Sequence, residues 1–325
     1  MIKCTGCGVT LQDTNDNKEG YTRDLTKHLC ERCFKIKHYN QYQFINKDNE
    51  YYLDILKKIE KTKDLVLLVT DFLNTESLNE LKIKNPVILV LAKRDLIPRH
   101  LDENKLLRMV TKEIDIVDKI VVGSKNNYNF DLLMSKINKH QKTKNVYVIG
   151  YTNAGKSTLI NKIIKDYGEA KREITTSVLP STTLDLIEVK INNDLTIIDT
   201  PGLLDIGSII INTDGETLTK ILPKKELKPS VIQVKVDQTI IVGDIFRLDV
   251  KKGTSLIFYI SNTLKLDRYY KGTDKLNDLP KHDLEVNEGS DIVIKGLGFI
   301  KTTNDCECSL YIDEKIKFNV RKSII

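Results

Sequence analysis

A glycine-rich segment with the pattern GxxxxGKS, at residues 150–157, most constrains how this 325-residue chain can fold. It stands between an apolar run, NVYVIG, and an amphipathic run, KSTLINKIIKD. A loop of this kind between a strand and a helix binds phosphate, because its backbone N–H groups and the helix N-terminus point at the phosphate oxygens. The pattern predicts a phosphate loop in an α/β domain; the alternative is a glycine turn before a surface helix.

Residues of this loop have expected roles in nucleotide binding. Lys156 is expected to reach the β- and γ-phosphates, and the hydroxyl of Ser157 to ligate Mg2+. The predicted nucleotide contacts of the loop and the first helical turn are Asn153, Ala154, Gly155, Lys156, Ser157 and Thr158.

The sequence DTPG at residues 199–202 closes an apolar run and resembles an element that senses the γ-phosphate. Asp199 can hold Mg2+ through water, and the amide of Gly202 can reach the γ-phosphate because no side chain intervenes. Upstream, in PSTTLD, Thr183 is predicted to ligate Mg2+ when a γ-phosphate is present; solvated turn chemistry is the alternative for that loop. The predicted catalytic set is Lys156, Thr183, Asp199 and Gly202.

A base-reading element is predicted where AKRD follows the apolar run PVILVL. AKRD resembles the NKxD element, in which Asp95 would bind the N1–H and amine of guanine and the stem of Lys93 would cover the face of the base. Ala92 stands in the Asn position, so one amide contact is lost and nucleotide affinity should be weaker. After the next strand come Ser124, expected to donate its backbone N–H to guanine O6, and Lys125. A basic strand-to-helix loop is the alternative.

Four of the six cysteines form two CxxC pairs, and these are Cys4, Cys7, Cys30 and Cys33. Four thiolates can surround Zn2+ tetrahedrally, so one structural zinc site is predicted. The alternatives are two disulfides, which a reducing cytoplasm disfavours, and a redox CxxC, which would not need doubling. Cys306 and Cys308 should lie on one face of a strand and are predicted to be buried packing residues.

Apolar runs predict six strands, at residues 64–71, 86–92, 119–122, 145–149, 184–191 and 195–198. Helical patterns occur near residues 51–62, 102–113, 130–140 and 156–167. This alternation predicts an α/β domain with a mostly parallel six-stranded sheet. Past residue 223 the pattern changes to short strands separated by glycine and charged turns. We therefore predict a zinc module at 1–45, a nucleotide-binding domain at 46–222 and a β-rich domain at 223–325.

The order of the motifs is informative. The base-reading elements, at 92–95 and 123–125, precede the phosphate loop and DTPG, whereas in Ras-like GTPases the phosphate loop comes first. The order predicts a circularly permuted GTPase domain, a change that folds tolerate because domain termini lie close together at the surface.

Charge and hydropathy limit the partners. Lys+Arg 51 against Asp+Glu 45 gives a net charge of +6, and no segment is strongly basic, so nucleic-acid binding would need local patches. The longest apolar runs are far below the roughly 18 residues of a membrane span. With a cysteine motif directly after the start, we expect a cytoplasmic protein without membrane association.

The chain resembles the YqeH-type circularly permuted GTPases. The segments that carry the resemblance are CTGC, CERCFKIKHYN, AKRDLIP, GYTNAGKSTLIN, PSTTLDLIEV, DTPG, LPKKE, SDIVIKGLGF and VRKSI. The family implies GTP hydrolysis, a treble-clef-like zinc module, a C-terminal RNA-binding-type β domain and assembly of the small (30S) ribosomal subunit. The implied cofactors are GTP or GDP, Mg2+ and Zn2+, and the implied partners are the small subunit and its rRNA, with a monomer expected off the ribosome. Departures from the family pattern are Ala92 for Asn, Gly123-Ser124 for Ser-Ala and Ser181 for Gly.

Two positions bear on the rate of hydrolysis. Leu203 follows DTPG where Ras-like enzymes have the glutamine that orients water, so intrinsic hydrolysis should be slow. Asn153 resembles the residue that coordinates K+ in related GTPases, and we hypothesise stimulation by K+. The alternative is that Asn153 only stabilises the loop.

Three classes of function compete. A ribosome-assembly GTPase is favoured over a nucleotide-gated RNA-binding module with negligible hydrolysis, and both over a metabolic P-loop kinase or ATPase, which would not need Asp95 or a zinc module. Two basic clusters are candidates for rRNA contact: Arg32, Lys35, Lys37 and His38, and Lys220, Lys224, Lys225 and Lys228. Their alternative is a solvated surface.

Overall fold

The computed structural model describes residues 2–39, 49–109, 116–169 and 185–325. Contacts divide the chain into two compact units, one of Met1–Asp95 with Val110–Asp205, the other of Leu96–Met109 with Ile206–Ile325. These divisions fall at different residues from the boundaries after 45 and 222 expected from the sequence texture. Those boundaries stay predictions about independently folding domains.

The described residues of the first unit form one six-stranded sheet. Its strands are β1 (Leu65–Asp71), β2 (Val87–Ala92), β3 (Ile116–Val121), β4 (Asn145–Ile149), β5 (Ile187–Lys190) and β6 (Thr196–Asp199). The order across the sheet is β3-β2-β1-β4-β6-β5. The strands β3, β2, β1, β4 and β6 are all parallel to their neighbours in this order. The edge strand β5 pairs antiparallel with β6. The sheet is therefore mixed, and the predicted number of strands is confirmed.

Helices cover both faces of this sheet. They are α2 (Asn49–Glu60), α4 (Phe130–His140) and α5 (Lys156–Tyr167), while α1 (Glu31–Tyr39) begins within the second CxxC pair and contains Cys33. Alternate residues of β1 point to opposite faces: Leu65 and Leu67 pack with α4 and α5, and Val66 and Leu68 pack with α2. Because both faces are buried, the strands read as continuous apolar runs, which is why the sequence revealed them.

The second unit is built mainly from antiparallel strands. Its elements are α3 (Glu103–Met109), α6 (Gly215–Ile221), β7 (Ser230–Val234), β8 (Gln238–Val242), β9 (Phe246–Lys252), β10 (Thr254–Tyr259), β11 (Leu266–Tyr269), β12 (Lys281–Val286), β13 (Ser290–Ile294), β14 (Gly298–Thr302), β15 (Cys306–Tyr311) and β16 (Phe318–Lys322). The described strands β7 to β16 form two five-stranded sheets, ordered β16-β13-β14-β10-β7 and β11-β8-β9-β15-β12. Cys306 and Cys308 are buried on one face of β15, as predicted.

Short helical turns occur at Thr75–Glu80, Arg94–Leu96 and Ile209–Ile211. Among the described residues, no helix combines the length and apolar composition needed to cross a bilayer.

Candidate nucleotide-binding and metal sites

The predicted nucleotide-binding segments meet at one edge of the mixed sheet. The segments that follow β1, β2, β3, β4 and β6 all leave from the carboxyl ends of mutually parallel strands. In open α/β sheets this edge forms the crevice where ligands bind. The topology therefore gathers residues that are more than a hundred positions apart in the sequence.

The phosphate loop joins β4 to α5 through a tightly constrained backbone. A Cβ at Gly150 would lie 2.2 Å from the carbonyl oxygen of Val69, so only glycine fits against β1. Asn153 (φ +62°) and Gly155 (φ +101°) both adopt left-handed conformations. Left-handed residues in such a turn bring successive N–H groups into one concavity, which suits an anion.

Lys156, the first residue of α5, is buried inside this loop. Its Nζ donates to the carbonyl oxygens of Gly150 at 2.9 Å and Tyr151 at 3.3 Å. Burial lowers the pKa of Lys156 to about 8, although the nearby Asp199 acts in the opposite direction. A polyphosphate would supply the counter-charge that this partly desolvated ammonium requires.

The DTPG segment runs alongside the phosphate loop. The N–H of Thr152 donates to the carbonyl of Leu203 at 2.9 Å, and the N–H of Leu203 donates to that of Gly150 at 3.1 Å. A Cβ at Gly202 would lie 3.1 Å from Nζ of Lys156, so a side chain there would crowd the ammonium. This placement fits the predicted γ-phosphate contact of Gly202. The side chain of Leu203 is buried in the apolar cluster between the sheet and α2.

Two predicted magnesium ligands converge at the start of α5. Oγ of Ser157 donates to Oδ2 of the fully buried Asp199 at 3.4 Å. A hydroxyl and a carboxylate are oxygen donors of the kind that Mg2+ prefers, so this pair fits the ion. The third predicted ligand, Thr183, lies outside the described residues, as does Ser181.

The two base-reading segments lie side by side. The N–H of Arg94 donates to the carbonyl of Val122 at 3.0 Å, which connects the AKRD segment to the residue that directly follows β3. The carboxylate of Asp95 is 15% exposed and forms an ion pair with Lys125, whose Nζ lies 3.0 Å from Oδ2. The acid expected to bind guanine is therefore held by a lysine of the second segment.

Ala92 and Lys93 connect the base-reading segment to the phosphate loop. A Cβ at Gly155 would lie 3.6 Å from Cβ of Ala92 and 3.8 Å from Cε of Lys93. Position 92 therefore reaches the loop through a methyl group alone. The ammonium of Lys93 pairs with Asp71 at 2.8 Å. The sequence offered one signal for Asp71, a lone acid at the end of an apolar strand, and no motif included it.

The four predicted zinc ligands are gathered and buried. The sulfurs of Cys4, Cys7, Cys30 and Cys33 all lie within 4.8 Å of one another. Sγ of Cys7 and Sγ of Cys30 are 3.8 Å apart, which is the edge of about 3.8 Å expected for a tetrahedron with Zn–S bonds of about 2.3 Å. The thiols are free rather than disulfide-bonded. The set fits a structural Zn2+.

Backbone hydrogen bonds favour the thiolate forms of Cys4 and Cys30. The N–H of Cys30 donates to Sγ of Cys4 at 3.3 Å, and the N–H of Cys33 donates to Sγ of Cys30 at 3.4 Å. The second pair lies at the N-terminus of α1, where the helix dipole stabilises negative charge. Within the cluster, the hydrogen bond to Cys30 lowers the pKa of Cys4 and raises that of Cys33.

The first cysteine turn also contacts Asp185, which lies just before β5. The N–H of Asp185 donates to the carbonyl of Cys7 at 3.1 Å, and a Cβ at Gly8 would lie 2.8 Å from the carbonyl oxygen of Asp185. The Asp185 carboxylate accepts from Lys3 at 3.3 Å and from Tyr51 at 2.9 Å. Burial alone would raise the pKa of Asp185, but hydrogen bonds, including these two, hold it below its ordinary value. No sequence motif predicted this contact.

The basic cluster that begins within the second CxxC pair has fewer surface cations than predicted, and the side chain of Lys37 lies outside the described part of the structure. Arg32 is 8% exposed, so its inclusion among surface cations was wrong. Lys35 is exposed and pairs with Glu31 at 3.2 Å. In the second cluster Lys220 pairs with Glu216 at 2.7 Å, and Lys224, Lys225 and Lys228 are exposed.

The phosphate loop, the DTPG segment along it and the nearby base-reading segments are the features of a P-loop GTPase. Residues 145–266 match a family model described as "50S ribosome-binding GTPase". The chain is 31% identical to YqeH of Bacillus subtilis (strain 168), with 100% of this chain and 99% of that protein covered. It therefore belongs to the YqeH-type GTPases.

More distant relatives share parts of the chain. NO-associated protein 1, chloroplastic/mitochondrial, of Arabidopsis thaliana is 23% identical over 91% of this chain and 69% of that protein. Nuclear GTP-binding protein NUG1 of Saccharomyces cerevisiae is 28% identical over 49% of this chain and 35% of that protein. The GTPase domain implies binding of GTP and GDP with Mg2+ and hydrolysis of GTP.

Proposed function

We propose that this chain is a GTP-hydrolysing switch in the assembly of the small (30S) ribosomal subunit, active in the cytoplasm and monomeric off the ribosome. The observation that carries the switch is the position of Gly202, where a Cβ would lie 3.1 Å from Nζ of Lys156. A main-chain amide beside the phosphate-binding lysine is placed to respond to the presence of a γ-phosphate. The ribosomal part of the proposal is supported by membership of the YqeH family.

In this proposal each group of residues holds one part of the nucleotide. The loop N–H groups and Lys156 bind the phosphates, Gly202 contacts the γ-phosphate, and Asp95 selects guanine while Lys93 covers the base. Ser157, Asp199 and Thr183 would hold Mg2+, which neutralises charge that develops on the phosphate oxygens. Leu203 supplies no polar group to orient water, so we expect slow intrinsic hydrolysis that small subunits accelerate.

We further propose that the GTPase domain is circularly permuted. The proposal is supported by chain order, since β1, β2 and β3, which lead to Asp71 and the base-reading segments, all precede the phosphate loop after β4. In the permuted order, the segment that follows Gly202 leads directly into the second unit, which resumes at Ile206. Nucleotide state could then bias the second unit through a short covalent connection.

We propose that K+ stimulates hydrolysis through Asn153. Asn153→Gly is the informative variant, because glycine keeps the left-handed backbone (φ +62°) and removes only the side chain. Hydrolysis by the natural chain should be faster in K+ than in Na+, and the variant should lose this difference. A variant that keeps its K+ response would mean that Asn153 only stabilises the loop.

Cosedimentation with purified ribosomal subunits tests the main proposal. The chain bound to a non-hydrolysable GTP analogue should bind small subunits about 5- to 150-fold more tightly than the GDP form, the usual range of such coupling. Preference for the large subunit, to which the description of the matched family model points, would contradict the 30S assignment. Equal binding in both nucleotide states would remove the switch.

A second function, an RNA-binding module with negligible hydrolysis, is favoured by Ala92 and Leu203. Multiple-turnover GTP hydrolysis with and without small subunits separates the two. The exposed Lys224, Lys225 and Lys228 supply the proposed rRNA contact. Replacing the three with alanine should weaken binding to RNA of any sequence and reduce its salt dependence.

A further inference from the structure

Asp71, at the carboxyl end of β1, is a buried acid that is held in place by the turn after the strand. Its Oδ1 accepts from the N–H of Leu73 at 3.0 Å and from Nδ2 of Asn74 at 2.7 Å. Its Oδ2 accepts from Nζ of Lys93 at 2.8 Å. The Asp71 side chain is 7% exposed, so little water screens this ion pair.

Lys93 is held in an unusual conformation between β1 and the phosphate loop. Its backbone is left-handed, with φ +58°, a conformation that is unfavourable for a non-glycine residue. A Cβ at Gly155 would lie 3.8 Å from Cε and 3.9 Å from Cγ of Lys93, so the stem runs along the loop. Strain of this kind persists where surrounding contacts fix it, and the ion pair with Asp71 is such a contact.

The geometry assigns Asp71 the role of a positioning residue for guanine binding. By holding the ammonium of Lys93, it keeps the aliphatic stem beside the phosphate loop, where the stem can cover the base that Asp95 binds. It thereby supplies, from the neighbouring strand, a polar tether that Ala92 cannot provide through its methyl group. This inference rests on the proposed roles of Lys93 and Asp95 in nucleotide binding.

Asp71→Asn tests the assignment, with two ligands measured on the whole chain. GDP with Mg2+ uses the base-binding and phosphate-binding parts, whereas inorganic pyrophosphate with Mg2+ uses the phosphate part alone. We expect GDP to bind roughly 10- to 100-fold more weakly, as for loss of a charged hydrogen bond, while pyrophosphate affinity stays unchanged. Asp54→Asn is the matched control, because it removes an exposed acid that pairs with Lys57 at 3.1 Å.

Lys93→Met keeps the stem and removes the charge, so it tests the same pair if Asp71→Asn does not fold. This variant too should bind GDP more weakly while its affinity for pyrophosphate stays unchanged. Adding Asp71→Asn to it should lower the affinity for GDP no further, because Asp71 acts through Lys93. Unchanged GDP affinity in Asp71→Asn, or equal loss of both ligands in a folded variant, would overturn the assignment. A natural chain that binds pyrophosphate but not GDP would instead overturn the proposed guanine site itself.

Discussion

In the four-cysteine site every ligand atom comes from one short stretch of chain, whereas the nucleotide site is assembled from loops after β1, β2, β3, β4 and β6. The cysteine sulfurs face one another within 4.8 Å. The charged groups of the nucleotide site instead have protein partners: Lys156 bonds two loop carbonyls, Asp95 pairs with Lys125, and Lys93 pairs with Asp71.

This difference predicts different responses to loss of the ligand. Four clustered thiolates repel one another, so the cation that balances them is part of the folded structure. In the nucleotide site Lys93 and Asp95 already have charged partners and Lys156 bonds neutral carbonyls, so the surrounding sheet does not depend on a nucleotide. Removal of metal should therefore unfold its module, and removal of nucleotide should leave the GTPase core folded.

The largest effect is expected from Cys30→Ser. The natural chain should contain one zinc, and the variant should lose it together with the order of the N-terminal module, since structural zinc contributes about 10–16 kcal/mol in small modules. Metal analysis and limited proteolysis measure the two losses, and GDP binding should persist. Cys306→Ser, at a buried cysteine of β15, is the control and should retain zinc.

The contact between the first cysteine turn and Asp185 could couple the zinc module to the nucleotide site. If Cys30→Ser also abolished GDP binding, the two sites would be one cooperative structure joined through Cys7, Gly8 and Asp185. Absence of zinc from the freshly prepared natural chain would instead refute the metal site.

Lys156→Met should have the next largest effect. Loss of this buried cation should weaken the binding of GDP and GTP by roughly 2–5 kcal/mol, or about 30- to 4,000-fold in affinity. Stability of the nucleotide-free chain should largely remain, because burial disfavours the charge of Lys156. Isothermal titration and thermal unfolding measure the two quantities. Lys165→Met, at an exposed position of α5, should change neither; tight binding by Lys156→Met would show that the loop assignment is wrong.

Asp95→Asn should change specificity more than affinity. Asparagine can donate where the carboxylate accepts, so preference should move from guanine to xanthine nucleotides by roughly 10- to 100-fold. The exchange also breaks the pair with Lys125, so the comparison must be the ratio of GDP to XDP affinity. Asp194→Asn, an exposed position in the turn between β5 and β6, is the control. An unaltered guanine preference would exclude Asp95 as the selecting residue.

The same contrast explains what the sequence could predict. The cysteine ligands and the phosphate loop follow from local spacing, and the six strands follow from burial on both faces of the sheet. In the β-rich region only the general presence of short strands was predicted, and the charged, part-exposed strands β11 (LDRY) and β12 (KHDLEV) lack the apolar signal that would locate them. Asp71 was missed because Lys93 lies on another segment, and Asp185 because Cys7 and Tyr51 are more than a hundred residues away; only the fold brings these residues together.

The smallest predicted effect comes from the proton on Lys156. Its pKa in the nucleotide-free chain is about 8, and a bound polyphosphate should return it toward its ordinary value of 10.5. Binding is then coupled to proton uptake, so affinity must fall as pH rises through 8. GDP should bind about fourfold more weakly at pH 8.5 than at pH 7, with uptake of roughly three quarters of a proton per nucleotide at pH 8.5.

Calorimetry at pH 8.5 in two buffers of different ionisation enthalpy measures this uptake directly. Lys156→Arg is the control, because a guanidinium stays charged throughout this range and the variant should take up no proton through this residue. Proton uptake that survived in the arginine variant would assign the linkage to another group. No uptake in the natural chain would mean that Lys156 is already fully charged before the nucleotide arrives. The internal partners of the nucleotide site would then balance its charge as completely as a metal balances the cysteines, and the contrast between the two sites would be smaller than the structure indicates.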